Sequence, residues 1–133
     1  MFTDTSQRGP IRLALAEDRK DHVYIAGPMT GLPNYNFETF NALAEKLRGY
    51  GLKVHNPADH GLVDGATRED YLRFDVAELA QCEHVYFLPG WENSPGARLE
   101  FDLAQKLGLS IAYYHPATDT ISVEIKHEIC RTK

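Results

Sequence analysis

The feature that most constrains the fold is an alternation of short apolar segments with amphipathic helical segments. Four apolar runs bounded by turn-forming residues are typical of buried strands. They occupy residues 23–27, 52–56, 84–88 and 110–114. Three stretches between them carry apolar residues at steps of three and four, which predicts helices. These stretches are residues 36–50, 67–79 and 95–107. Strands that alternate with such helices form right-handed βαβ units around a parallel sheet.

This alternation predicts the fold class and the domain organisation. We expect a single α/β domain with a flavodoxin-like, doubly wound parallel sheet of four to five strands. A length of 133 residues suits one domain. Residues 22–133 would form that domain, with residues 121–125 as either a fifth strand or a tail segment. Residues 1–21 are expected to be a leader or arm, with a short helix or arm at 11–16.

Composition excludes several classes of partner. The net charge is −5, from 14 basic and 19 acidic residues, and no Lys/Arg run occurs, so we expect no extended nucleic-acid ligand. No apolar run approaches the ~20 residues of a membrane span, and residues 1–21 lack the apolar core of a signal peptide. Cys82 and Cys130 have neither metal-ligand nor disulfide-framework spacing, so we expect reduced thiols and a cytoplasmic protein.

Glu100 is the residue that most strongly indicates a functional site. Its helix follows a turn-rich loop, with Ser94 as the predicted N-cap and Pro95 at the first helical position. The expected inward-facing stripe consists of Ala97, Glu100, Leu103, Ala104 and Leu107. Glu100 therefore occupies a core position near the carboxyl end of a strand, where open parallel sheets bind ligands.

A second acid, Asp75, repeats this pattern in a helix that Thr67 is expected to cap. Asp75 lies three residues after Leu72 and four before Leu79, which places it on the same inward face. One such acid alone is more often a buried ion pair or a loop cap. Two acids in neighbouring βα units favour a functional pair, because burial and like charge raise the pKa of one of them. That difference suits a proton donor beside an ionised nucleophile.

Two loops are candidates for ligand contacts. Gly27, Pro28, Met29, Thr30 and Gly31 follow the first strand, where glycines let the backbone approach a ligand. Asn93, Ser94 and Gly96 lie at a helix N-terminus, which offers free N–H groups to an anion such as one phosphate. The alternative for Ser94 is a simple N-cap. Trp91 is expected either to stack on a base or to cover the edge of the sheet.

A metal site is not expected. His55, Asp59, His60 and Asp64 lie close together in sequence, but their spacing matches no metal-ligand pattern. A solvated loop is the better interpretation of this segment. We therefore predict no metal and no organic cofactor.

Three segments together resemble one enzyme superfamily. They are Tyr24-Ile-Ala-Gly-Pro28, the Asp75 that precedes Leu79 by four residues, and Ser94-Pro-Gly-Ala-Arg-Leu-Glu100. In this order and spacing they resemble the nucleoside 2-deoxyribosyltransferase superfamily, which includes the 2′-deoxynucleoside 5′-monophosphate N-glycosidases. The resemblance covers residues 23–114 and is greatest to small, often phage-borne members of unassigned function.

The resemblance implies a role for each matching residue. Glu100 would be the nucleophile on the anomeric carbon, and Asp75 would handle the base or orient the sugar. Tyr24 and residues 27–31 would line the sugar and the 5′ end, and Ser94 would help to hold a 5′-phosphate. The superfamily completes its sites with residues from a neighbouring subunit, which implies a homo-oligomer.

The predicted function is cleavage of, or transfer across, the N-glycosidic bond of a nucleoside or nucleoside 5′-monophosphate. A glycosyl-enzyme on Glu100 would then be resolved by water or by a second base. The alternative is a catalytically silent nucleotide-binding sensor or interaction module with the same fold. A dimer or larger assembly would cover the shallow crevice of the sheet, with Tyr113, Tyr114 and residues 121–125 as the expected interface.

Overall fold

The computed structural model describes residues 9–123, which form a five-stranded sheet covered by helices on both faces. The strands are β1 His22–Ala26, β2 Lys53–His55, β3 His84–Phe87, β4 Ser110–His115 and β5 Thr120–Val123. The helices are α1 Ala16–Arg19, α2 Phe37–Gly49, α3 Arg68–Ala80 and α4 Pro95–Leu107. Short 3-10 turns cover Pro33–Asn36, Pro57–His60 and Trp91–Asn93. No described helix is long and apolar enough to cross a membrane.

The strand order is β2-β1-β3-β4-β5, which confirms the predicted α/β class. Strands β1 to β4 run parallel, and β5 pairs antiparallel with β4. The direction of β5 follows from its connection, because a turn after His115 with Asp119 at φ 53° is too short for a parallel crossover. The chain leaves β1 toward β2 on one side and continues to β3 on the other. This reversal places a crevice at the carboxyl end of β1.

Two hydrophobic clusters fill the two faces of the sheet. On one face Val23 and Ile25 pack among the apolar residues of α2, including Phe40. On the other face Tyr24 and Ala26 pack against α3 and α4, with Leu79 and Ala104 among the contacts. The alternation along β1 explains the division, because successive strand residues point to opposite faces. Tyr24 is thereby fixed on the face that carries both predicted acids.

Some expected core positions differ in the structure. Leu107 is 51% exposed instead of inward-facing, because Leu109 fills the core directly after the left-handed turn at Gly108. Tyr114 is buried within the chain, where its hydroxyl donates to Asp119 at 2.7 Å, so it is not available for the predicted interface. Ile125, also expected there, lies outside the described residues.

The helix caps were predicted well for α3 and α4 but not for α2. Thr67 and Asp70 form a reciprocal capping box on α3, and Ser94 accepts from the Ala97 N–H at 3.2 Å on α4. Asn36 does not cap α2, because its side chain donates to the Pro28 carbonyl at 3.0 Å. The helical turn expected within residues 11–16 forms later, as α1.

Gly27 follows β1 and lies close to Leu88, the residue that follows β3. A Cβ at residue 27 would lie 2.8 Å from Leu88 Cβ, and Leu88 is fully buried. We therefore predict that Gly27→Ala lowers the free energy of unfolding by about 1–3 kcal/mol in urea denaturation. Gly49→Ala is the control, because a Cβ there meets no atom within 4 Å and alanine favours helix. Equal stability of the two variants would contradict the close approach.

Candidate functional site

A cavity of about 720 Å³ opens at the carboxyl end of β1. Five segments of the chain form its walls: the end of β1 with its loop, the start of α2 with the 3-10 turn before it, the turn after β2, one face of α3 and the start of α4. Tyr24, Asp75 and Glu100 all line it, although they are distant in sequence. The structure therefore brings together three residues that the resemblance places in the site. They meet at the end of β1, where the connections to the neighbouring strands leave toward opposite sides of the sheet.

Glu100 is held at the base of the cavity by Tyr24. The Tyr24 hydroxyl donates to Glu100 Oε2 at 2.7 Å, and both side chains are buried. Burial raises the pKa of Glu100 to about 8; the Tyr24 hydrogen bond opposes this shift, and the nearby Asp75 charge adds to it. The pKa of Tyr24 is also raised, chiefly by burial, so its hydroxyl remains a donor. Tyr24 therefore fixes one oxygen of the Glu100 carboxyl group, and the other oxygen is available to a ligand.

Asp75 lies beside His60, a residue that the sequence did not single out as a functional partner. Asp75 Oδ1 is 3.3 Å from His60 Nε2, an ion-pair distance without hydrogen-bond geometry, so both buried atoms lack a hydrogen-bond partner among the described residues. Burial raises the pKa of Asp75 to about 6, and His60 moderates this shift. His60 is fixed by its Nδ1, 2.8 Å from the Gly61 carbonyl, and by stacking on Tyr71. His60 is therefore the charged or polar neighbour that accompanies Asp75 at the cavity wall.

The two acids together hold one proton at neutral pH. With pKa values of about 8 for Glu100 and about 6 for Asp75, that proton resides on Glu100. This order is the reverse of the one that a Glu100 nucleophile and an Asp75 proton donor require. The protons of such a pair belong to the dyad, so a ligand that stabilises negative charge on Glu100 moves the proton to Asp75.

Most residues of the two predicted ligand loops line the cavity. Gly27, Pro28, Met29 and Thr30 line the cavity; Gly31 does not, and its φ of 86° marks a turn. Asn93, Ser94 and Gly96 also line the cavity. The Ser94 oxygen accepts the N-cap hydrogen bond, which leaves its own proton free to donate to a ligand.

Trp91 is not part of the cavity. Its ring stacks on Phe101 with the centroids 4.6 Å apart, and it also contacts Phe87 and Tyr113. Of the two alternatives left open for Trp91, the structure shows the packing role at the sheet, and its assignment to the substrate is withdrawn. The reason is that the 3-10 turn of residues 91–93 directs this ring onto the outer part of β3 and α4.

Three of the four residues considered for a metal have other partners. His55 Nδ1 lies 2.7 Å from Glu78 Oε1, and Asp59 accepts from Arg48 at 2.8 Å. His60 belongs to the Asp75 pair. No group of three potential ligands converges on a metal position within residues 9–123.

The cavity wall formed by α3 contains residues that the sequence analysis missed. Arg68, Tyr71, Leu72 and Asp75 all line the cavity, at spacings of three, four and seven residues along one helical face. The inward position of Asp75 is the signal that could have identified them. His60 carried no comparable signal, because its contact with Asp75 is tertiary.

Comparisons with known proteins agree with this fold. The family model described as "Domain of unknown function (DUF4406)" matches residues 21–113, which include Tyr24, Asp75 and Glu100. No curated protein matches the chain. Among solved structures, a 2-deoxyribosyltransferase from the psychrotolerant bacterium Bacillus psychrosaccharolyticus matches with a TM-score of 0.58 and 16% identity, over 81% of this chain and 78% of that one. At this identity the likeness shows a shared fold.

The buried Glu100 makes the stability of the fold depend on pH. An unfolded chain loses the Glu100 proton near pH 4.5, whereas the folded protein retains it up to about pH 8. The contribution of Glu100 to stability is therefore full below pH 4.5 and is lost as the pH rises toward 8. We expect the unfolding free energy of Glu100→Gln, measured relative to the wild type, to increase by roughly 2–5 kcal/mol across this interval.

Urea denaturation at several pH values measures this difference. Asp102→Asn is the matched control, because it removes an exposed carboxyl group from the same helix. Its pH profile should follow that of the wild type. Parallel profiles for Glu100→Gln and the wild type would contradict a protonated, buried Glu100.

Proposed function

The chain belongs to the family described as a domain of unknown function (DUF4406), and from its own site we propose that it cleaves, or transfers across, an N-glycosidic bond. The substrate would be a nucleoside or a nucleoside 5′-monophosphate. One observation carries the proposal: Glu100 and Asp75 line one cavity, and burial raises the pKa of both carboxyl groups. Retaining glycosidases also use a pair of carboxyl groups, one as the nucleophile and the other as the proton donor.

The first step needs Glu100 ionised and Asp75 protonated. A sugar with its anomeric carbon toward Glu100 develops positive charge as the base departs, which favours the carboxylate form of Glu100. The proton of the dyad then resides on Asp75. A Glu100 oxygen attacks the anomeric carbon, the carbon–nitrogen bond breaks, and the Asp75 proton passes to the leaving base. Tyr24 holds the second Glu100 oxygen in place through its 2.7 Å hydrogen bond.

The second step releases the sugar. Water attacks the anomeric carbon of the glycosyl-enzyme, Asp75 accepts the proton from that water, and Glu100 leaves as a carboxylate. The dyad returns to its one-proton state without any other reactant. A second base that attacks in place of water gives transfer instead of hydrolysis. The solved structure of similar fold is described as a biocatalyst for nucleoside synthesis, which corresponds to transfer.

A 5′-phosphate would lie at the start of α4. Ser94 and Gly96 line the cavity there, together with residues 27–30. Gly96 is in the first turn of α4, where the N–H has no partner within the helix. These donors suit a phosphate without a cluster of basic side chains.

The proposed active form is a homo-oligomer in the cytoplasm. Leu62 and Leu99 line the cavity, yet they are 67% and 40% exposed, so the mouth presents apolar surface to solvent. A second copy over this mouth would bury that surface and exclude water from the dyad. The cytoplasmic location is supported by Cys82, a buried free thiol.

We predict that the protein sediments as a dimer or larger assembly at micromolar concentration. Replacing the exposed apolar residues with Leu62→Glu and Leu99→Glu should shift it toward the monomer and lower its activity. Leu107→Glu is the control, because Leu107 is 51% exposed, between Leu99 and Leu62, but does not line the cavity. A fully active wild-type monomer would contradict the proposal.

Base release from a panel of nucleosides and 5′-monophosphates, followed by chromatography, tests the proposed reaction. We expect the wild type to release free base from some members, Glu100→Ala to release none, and Asp75→Asn to be slower by about 10²–10⁴-fold. The fold of each variant is checked by circular dichroism. Asp102→Asn, an exposed acid on the same helix, should match the wild type.

Two results would contradict the proposed reaction. Wild-type turnover by Glu100→Ala would remove the nucleophile assignment. Tight binding of the same compounds without base release by the wild type would favour the alternative of a nucleotide-binding sensor.

A further inference from the structure

Arg68 is the only Lys or Arg among the described residues that line the cavity. It is the first residue of α3, it is exposed, and no described side chain forms a hydrogen bond or an ion pair with it. The other Asp, Glu and His side chains there are Asp75, Glu100 and His60. Among the described residues, Arg68 is therefore the permanent cation that a ligand in this cavity can meet.

Arg68 and Asp75 lie on the same face of α3. Seven residues separate them, which corresponds to about 10 Å along the helix axis. Tyr71 and Leu72 line the cavity between them, one turn from each end. The start of α4, with Ser94 and Gly96, belongs to a different wall. The cavity therefore has one wall on α3, with Arg68 and Asp75, and another on α4, with Ser94, Gly96 and Glu100.

The proposed reaction places a different part of the substrate against each of these two walls. If Asp75 protonates the departing base, the base lies on the α3 side of the dyad and extends toward Arg68. A 5′-phosphate would lie on the α4 side, where Ser94 and Gly96 provide free donors. The N-terminus of α3 is a poor place for phosphate, since Asp70 already accepts from the Thr67 N–H and Glu69 adds a second negative charge.

We propose that Arg68 reads the outer edge of the leaving base and selects keto bases over amino bases. A guanidinium group has five N–H donors and no acceptor, so it binds carbonyl oxygens and ring nitrogens but not exocyclic amino groups. The preferred bases are hypoxanthine and guanine among the purines, and uracil and thymine among the pyrimidines. Arginine binds the same O6 and N7 pair of guanine in DNA.

This inference rests on the proposed function and gives its substrate class. The test compares kcat/KM for matched pairs, deoxyinosine with deoxyadenosine and deoxyuridine with deoxycytidine, each with and without a 5′-phosphate. We expect the wild type to favour the keto member about tenfold or more. Arg68→Ala should lose this preference by losing activity on keto bases. Arg73→Ala is the matched control, because Arg73 is exposed on the same helix and does not line the cavity.

Two outcomes of these assays would overturn the inference. An equal loss on all four bases would give Arg68 a general role, and a loss confined to the monophosphates would make it a phosphate contact. If no compound releases base, the proposed function fails independently. Calorimetric binding of the same pairs then tests Arg68 alone: a keto preference that disappears in Arg68→Ala supports the inference, and no preference in the wild type overturns it.

Discussion

The arrangement of the site depends on the burial of one carboxyl group, that of Glu100. Its side chain occupies a core position of α4 and accepts a hydrogen bond of 2.7 Å from Tyr24 on β1. The interaction joins a central strand to the helix that follows β3. Because burial removes Glu100 from water, its pKa rises to about 8 and the carboxyl group retains its proton at neutral pH. The same burial that costs stability prepares the group for chemistry.

The topology of the sheet determines where this group can act. Strands β1 and β3 are parallel neighbours, and the chain leaves them toward opposite sides, so a crevice opens at their carboxyl ends. Residues from the β1 loop, α3 and α4 can meet only there. The second acid, Asp75, lies in the same crevice and titrates at a lower pH than Glu100. The difference between the two acids arises from unequal burial and from the His60 beside Asp75.

The fold and the chemistry of the site support different conclusions about this protein. A structural match at 16% identity shows that the architecture is shared with a 2-deoxyribosyltransferase, and folds of this kind support many reactions. The proposed cleavage of an N-glycosidic bond rests instead on the dyad and its single proton. The α3 wall of the cavity carries Arg68 and Asp75, whereas the α4 wall carries Ser94 and Glu100. This division gives the proposal a substrate preference that the fold alone does not provide.

The sequence by itself determined the local structure. Alternating apolar strands and amphipathic helices predicted the α/β sheet, the Thr67 and Ser94 signals predicted two caps, and helical spacing placed Asp75 and Glu100 inward. Only the tertiary structure decided which distant groups meet. It placed His60 beside Asp75, directed Trp91 away from the cavity and reversed β5. It also set the two pKa values. Periodicity fixes which face of an element is buried, whereas contacts between elements and the desolvation of a carboxyl group depend on strand order, register and packing.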